Sequence, residues 1–413
     1  MHRRTVITAG AALAAGLTLG AGGGGTAARA AERFTPRFTP RFTPRLPAPT
    51  GPYGIGVTAL YLVDRARRDP WDAGVPVREL MATVFYPAVP RAARTRPLAP
   101  HMTEGAARAF AGFVPQYLHP QLPKAGVDWA ATLTHARLDA PVLPPPGQRR
   151  WPVLLYSPGG GDSRNLGTVT AEEAAGHGYV VVTVDHPGDA SEVEFPGTTP
   201  YRDRTVRPTA LIGDPRQDPP VFRTAIDTRV ADLRFVLDSL LGHGPGRPHP
   251  ALPRGLGRAL DPGRVGVYGH SAGGTAAAQA LYEDRRVRAA ITMEGYLDHP
   301  PTAPGRPGEP FPVARDGVDR PLLLLSTDGF PHREAVERSW APLLAKPHRH
   351  THRRRIEGAT HHVFTDYAAL APGLEAAGLM SPAGRATLVG TLPPERAVRL
   401  VRGQVLSFFA RHL

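Results

Sequence analysis

Residues 264–282 read RVGVYGHSAGGTAAAQALY, and this stretch decides the fold. Val265, Val267 and Tyr268 form a short apolar strand, Gly269-His270-Ser271-Ala272-Gly273 fits G-x-S-x-G, and an alanine-rich helix follows. A strand running through a tight glycine turn into a helix exposes the turn's serine at the carboxyl edge of a sheet. Gly269 and Gly273 are required because a side chain beside so sharp a turn would clash. Ala272 opens the helix, whose free N–H groups and positive dipole end face the place where an oxyanion would form. Ser271 is therefore a candidate nucleophile.

Working outward, strand and helix patterns alternate. WPVLLYSPGGG at 151–161, YVVVTVDHPGD at 179–189, RAAITMEGY at 288–296, RPLLLLSTDGF at 320–330 and HRRRIEGATHH at 352–362 each read as a strand running into a loop. Continuous apolar strands separated by helices predict a mostly parallel, doubly wound α/β sheet, with functional groups at the strands' carboxyl ends. TALYLVD from Thr58 and ELMATVFYP from Glu79 predict an antiparallel pair before it. Residues 100–147 are proline-rich, with one helical piece at 104–113, and could cover a site; residues 196–220 read as an excursion loop. In TAIDTRVADLRFVLDSLL (224–241), Ile226, Val230, Leu233, Val236, Leu237 and Leu240 recur at helical spacing. The intervening charges, Asp227, Arg229, Asp232, Arg234 and Asp238, read as that helix's solvent face.

The amino-terminal region stands apart. A basic start, an apolar run from Val6 to about Gly20 and Ala28-Arg29-Ala30 suit an export signal over residues 1–30, with Arg3-Arg4 of twin-arginine type. The apolar run is too short to span a membrane. RFTPRFTPRFTP at 33–44 lies in a Pro/Arg-rich segment, 31–49, that reads as a linker, leaving 50–413 as one α/β domain. Seven arginines against one acidic residue put +6 of the formal +13 charge in residues 1–45, leaving +7 for the remainder. That remainder has no basic cluster with interleaved aromatics, so nucleic-acid binding is not expected, and no basic-rimmed amphipathic helix argues for stable membrane insertion. The sequence does not specify the oligomeric state. Absence of cysteine excludes thiol catalysis and thiolate metal sites.

A serine hydroxyl needs a base, sought on a loop after the final strand. His361, in Gly358-Ala359-Thr360-His361, fits, and His362 is its direct competitor. The tract His348-Arg349-His350-Thr351-His352 suits a metal by composition, but its arginines favour a solvated turn. For the carboxylate that orients the base, Glu294, Asp298 and Asp328 all stand after suitable strands, and spacing does not separate them.

The motif order GPYGIGVTALYLVDRARRDPW (51–71), RELMATVFYPA (78–88), LLYSPGGG (154–161), VVVTVDHPGDAS (180–191), RVADLRFVLD (229–238), VGVYGHSAGG (265–274) and GATHHVFTD (358–366) resembles the platelet-activating factor acetylhydrolase family, the secreted lipoprotein-associated phospholipase A2 type and its bacterial relatives. The resemblance spans about residues 50–370 and implies an α/β-hydrolase fold. It further implies a secreted serine esterase removing a short acyl group from a lipid or small-molecule ester, as a 1-alkyl-2-acetylglycerophosphocholine esterase does. The rival within enzymes is a general carboxylesterase, lipase or polyester hydrolase, and outside them a non-catalytic binding protein on the same fold. The resemblance places the base on His361, the second oxyanion donor on the Gly160 N–H and the acid on Glu294, where the family carries aspartate. Pro158 stands where that family more often has histidine. Asp185-His186 is a landmark read as supporting structure. The implied chemistry needs no metal and no organic cofactor.

Overall fold

The computed structural model describes residues 41–242, 249–303, 306–346 and 350–413. The export-signal reading of 1–30, the first part of the linker and the start of the histidine tract at 348 lie outside those residues. The remaining linker residues lie along the body: the Phe42 N–H donates to Gly126 O, Leu46 is buried, and Arg402 donates to Pro47 O and Ala48 O.

One ten-stranded sheet organises the chain. Its strands are β1 (Gly54–Asp64), β2 (Arg78–Ala88), β3 (Leu98–Pro100), β4 (Leu133–Leu138), β5 (Trp151–Ser157), β6 (Val180–Val184), β9 (Leu260–His270), β10 (Val287–Met293), β11 (Leu322–Thr327) and β12 (Thr351–Ile356); β7 (Glu192–Glu194) and β8 (Val206–Pro208) form a separate hairpin. The spatial order is β12-β11-β10-β9-β5-β6-β2-β1-β4-β3. From β12 to β6 every neighbour is parallel; β6–β2 and β2–β1 are antiparallel, the latter in register from Gly54↔Ala88 to Asp64↔Arg78. This is the doubly wound α/β sheet with its leading antiparallel pair.

Alternate side chains on each strand enter opposite layers. On β5, Leu154 and Tyr156 join the core under the helices Thr168–Gly176, Tyr367–Ala376 and Pro394–His412, whereas Val153 and Leu155 join the core under Pro219–Leu241 and Ala272–Glu283. Burial on both faces explains why the central strands read as unbroken apolar runs.

Two sequence expectations need correction. Residues 98–138 contribute β3 and β4 to the sheet edge, a role hidden by β3's three-residue length and by β4's alternation of exposed and buried positions. The charges of the helix Pro219–Leu241 are not all solvent-facing, because Arg229 and Asp232 are fully buried. Arg78, also fully buried, donates to Asp232 Oδ2 at 2.8 Å, to Asp69 Oδ2 at 2.9 Å and to Pro187 O at 2.7 Å. Burial alone would raise the Asp232 carboxyl, but Arg78 and His186 outweigh it and hold it below the usual carboxylate range. Asp69 is held down in the same sense by Arg207 and Arg78.

Removing one partner of such a pair strands the other as an uncompensated buried charge. Asp232→Asn is expected to lower stability by about 3–5 kcal/mol, read by urea unfolding at pH 7. Both carboxyls are depressed in the folded state. Their contribution is therefore complete above the unfolded aspartate pKa of ~3.9 and disappears as pH falls toward their folded values. The acid-induced loss of stability is expected to be shallower in Asp232→Asn than in the parent.

Candidate active site

Ser271 stands between β9 and the helix Ala272–Glu283 at φ 53° and ψ −121°, a conformation that a non-glycine residue holds only under strain. The crossing behind it explains the glycines. A Cβ on Gly269 would lie 2.2 Å from Gly273 O, and one on Gly273 would lie 2.0 Å from Ser157 O. The Ser271 N–H donates to Met293 O at 2.8 Å, which fixes the turn against β10.

Glu294, immediately after β10, is fully buried and also left-handed, at φ 56°. Its Oε2 is 2.7 Å from His361 Nδ1, and its Oε1 accepts from Thr327 N–H at 2.6 Å and Thr327 Oγ1 at 2.7 Å. Burial pushes the Glu294 carboxyl up to about 7, opposed by the Thr327 hydrogen bonds. Burial, reinforced by His270, pushes the His361 imidazole down. The His361 ring stacks on Phe330, centroids 4.0 Å apart and planes 15° apart, so its orientation is set by packing as well as by the carboxylate. Among the described residues Ser271 Oγ has no hydrogen-bond partner, and the serine–histidine leg is open in this structure.

The other candidate acids are elsewhere. Asp328 accepts from the Gly358 and Ala359 N–H groups and so braces the turn before His361, while Asp298 pairs with Arg216 at 3.1 Å. His362 is not beside Glu294's carboxylate; its ring packs on His119, centroids 4.3 Å apart.

Gly160 and Ala272 face one another, a Cβ on Gly160 falling 3.8 Å from Ala272 Cβ. Both line, with Ser271, a cavity of about 790 Å³. Among the described residues neither N–H donates to a protein acceptor. The loop before Gly160 is held by residues that the sequence reading did not single out. Arg229 donates to Pro158 O at 2.6 Å, to Gly159 O at 3.0 Å and to Asp189 Oδ2 at 2.7 Å, and Asp189 Oδ1 accepts the Gly161 N–H at 3.0 Å. The Pro158 and Gly159 carbonyls and the Gly161 N–H are thereby occupied, and Gly160 faces the cavity. A signal existed: Arg229 lies three residues after Ile226 and four before Leu233, at the margin of the apolar stripe.

A serine–histidine–aspartate chain, separate from these residues, is fully closed. Ser157 Oγ is 2.9 Å from His186 Nε2, and His186 Nδ1 is 3.0 Å from Asp232 Oδ2. All three are at most 1% exposed, and Arg229 also donates to Ser157 Oγ. Burial and Arg229 push His186 down to about 4, so it is neutral at pH 7, accepting from Ser157 and donating to Asp232. No substrate carbonyl can reach Ser157; this chain fastens the end of β5 beneath the Gly160 loop.

A strained serine on a glycine crossing at the edge of this sheet places the chain in the α/β-hydrolase superfamily. The comparisons narrow this. A family model described as platelet-activating factor acetylhydrolase, isoform II, matches residues 254–413. A probable 1-alkyl-2-acetylglycerophosphocholine esterase of Arthroderma benhamiae is 28% identical over 273 residues, 62% of this chain and 59% of that protein. The platelet-activating factor acetylhydrolase of Cavia porcellus is 23% identical over 274 residues, 64% and 58% of the two chains. The chain thus spans just under three fifths of the length of these curated relatives. The solved ferulic acid esterase of Streptomyces cinnamoneus superposes with a TM-score of 0.67 at 32% identity, covering 90% of this chain and 93% of that one. The chain belongs to the platelet-activating factor acetylhydrolase family.

Arg229→Lys keeps the charge but cannot span two carbonyls and a carboxylate with one planar fork. It is expected to lower kcat on an activated ester by about 10²-fold, the value of one oxyanion donor, with a much smaller change in KM. Steady-state kinetics beside a thermal unfolding trace separates this from loss of fold.

Proposed function

We propose that this chain is a serine carboxylic ester hydrolase working through an acyl-enzyme, with Ser271 as nucleophile, His361 as base and Glu294 as its orienting acid. The observation that carries the reading is the 2.7 Å contact between His361 Nδ1 and Glu294 Oε2 beside a serine held in a strained turn. Ser271 Oγ attacks the ester carbonyl carbon and its proton passes to His361 Nε2, while the carbonyl oxygen becomes an oxyanion facing the Gly160 and Ala272 N–H groups. Collapse breaks the carbon–oxygen bond to the alcohol, which leaves with the proton from His361. Water, deprotonated by His361, then attacks the acyl-enzyme and frees the acid and Ser271. Glu294 keeps Nδ1–H pointed at itself and stabilises the imidazolium formed in each half-reaction. The closing of the serine–histidine leg accompanies substrate binding.

The substrate class we favour is a short acyl ester of a lipid or small molecule, supported by the relatives' names. A second reading, an aromatic ester, is favoured by the cavity itself. Phe222, Tyr296 and Phe330 line a space far larger than an acetyl group fills, and the ferulic acid esterase is similar over nearly its whole length. Export is part of the proposal and rests on residues 1–30 of the sequence. Among the described residues no helix is long and apolar enough to cross a membrane.

Hydrolysis of an sn-2-acetyl phospholipid, a p-nitrophenyl ester series and a methyl hydroxycinnamate tests these readings together. Ser271→Ala is expected to abolish turnover on every ester, and Glu294→Gln to lower kcat by about 10⁴-fold, as when a triad loses the group that fixes its histidine tautomer. Asp328→Asn is expected to stay within about tenfold of the parent. Activity that survives Glu294→Gln and vanishes with Asp328→Asn would overturn the acid assignment. A preference for the hydroxycinnamate over the acetyl phospholipid would select the aromatic reading.

A further inference from the structure

Ester hydrolysis leaves unused a group of polar side chains behind the catalytic serine. Asp162 follows the Gly160 loop, His270 precedes Ser271 and His362 follows His361. Asp162 and His270 are 3% and 1% exposed and His362 is half-buried, yet one ligand atom from each lies within 4.8 Å of the other two. Both ring nitrogens of His270 and Nδ1 of His362 are buried without a hydrogen-bond partner among the described residues.

Asp162 is a buried carboxylate whose ion-pairing neighbours are imidazoles. Two imidazoles face it, His119 Nε2 at 3.7 Å from Oδ1 and His270 Nδ1 at 3.8 Å from Oδ2, both beyond hydrogen-bonding reach. Among the described residues no lysine or arginine pairs with it. A buried anion ringed by imidazoles at such distances leaves room between its neighbours for a cation. Bonds of about 2.0–2.2 Å to a tetrahedral zinc ion set adjacent ligand atoms roughly 3.4 Å apart, so a contraction of a few tenths of an ångström brings Asp162 Oδ2 and His270 Nδ1 to that separation.

We propose that Asp162, His270 and His362 bind one divalent transition-metal ion of the zinc class. Two imidazoles and a carboxylate, with no thiolate in the chain, suit zinc and its cobalt and nickel surrogates better than calcium or magnesium, which prefer all-oxygen shells. His119 is the outer partner that orients Asp162 through Oδ1, and a water completes the fourth position. The ion takes no part in acyl transfer. It ties together the segments that present the oxyanion donor, the nucleophile and the base, each of which supplies one ligand next in sequence, or nearly so, to its functional residue.

The test is zinc binding by the full chain after dialysis against EDTA, read by isothermal titration and by elemental analysis of the re-dialysed protein. One equivalent binding at micromolar or lower Kd is expected. Zinc then raises the thermal midpoint in proportion to the logarithm of its concentration. Asp162→Asn and His362→Gln are each expected to weaken binding by about 10²-fold or more. His352→Ala/His412→Ala, which removes a surface histidine pair with ring centroids 6.3 Å apart, is expected to leave the stoichiometry at one. Cobalt loading of the unmutated chain gives a reading independent of variant folding: intense visible absorption reports a four-coordinate site. Titrations of Asp162→Asn and His362→Gln that match the parent's, loss of binding only in the His352/His412 variant, or no binding and no cobalt spectrum would each overturn the proposal.

Discussion

The crossing of backbone at Gly269 and Gly273 is the contact on which the rest of the site depends. Two chain segments and the end of β5 pass so closely there that no Cβ fits, Gly273 lying against Ser157 O and Gly269 against Gly273 O. That approach forces Ser271 into its strained conformation, aims the following helix's N–H groups at the cavity and brings β10 near enough for Met293 O to accept from Ser271. Glu294 starts its own left-handed turn from the same strand, and Gly295 repeats the close approach, a Cβ there falling 2.4 Å from Thr275 N. Ser271 and the residue that faces His361 are thus two products of one packing constraint between β9 and β10.

Beneath that crossing lies a buried ionic frame. Arg78 and Arg229 together engage Asp69, Asp189 and Asp232, and donate directly to the carbonyls of Pro187, Pro158 and Gly159. Ion pairs so deep are seldom the most stable solution, since apolar groups of the same volume commonly serve better. Their retention here has a geometric reason. An arginine fork can hold two adjacent carbonyls at fixed separation, which a leucine cannot, and the loop so held is the one that leaves the Gly160 N–H unpaired at the cavity wall.

Ser157, His186 and Asp232 show why a triad has to be judged by its surroundings. Their hydrogen bonds are closed, whereas the serine–histidine leg at Ser271 is open. Access reverses the ranking: the closed chain is shut within the sheet, while Ser271 lines the large cavity. A hydroxyl that can meet no carbonyl is a structural link whatever its partners.

Much was legible in the sequence because it is dictated locally. The glycines of 269–273, the apolar period of each central strand and the strand-before, helix-after context of Ser271 follow from steric and burial rules acting over a few residues, and they set the α/β sheet and the place of Ser271 at its edge. Spacing left Glu294, Asp298 and Asp328 level, because a carboxylate's partner depends on which strand ends meet across the sheet. Tertiary structure set Glu294 against His361, turned Asp328 to the 358–359 turn and gave Asp298 to Arg216. Arg229 and Asp232 look solvent-facing in the sequence because their helix has charges on several sides, and periodicity registers a face without knowing what covers it. Only the fold decided that the Gly160 loop would bring the Pro158 and Gly159 carbonyls against that helix, and a buried carbonyl needs a donor wherever the chain supplies one.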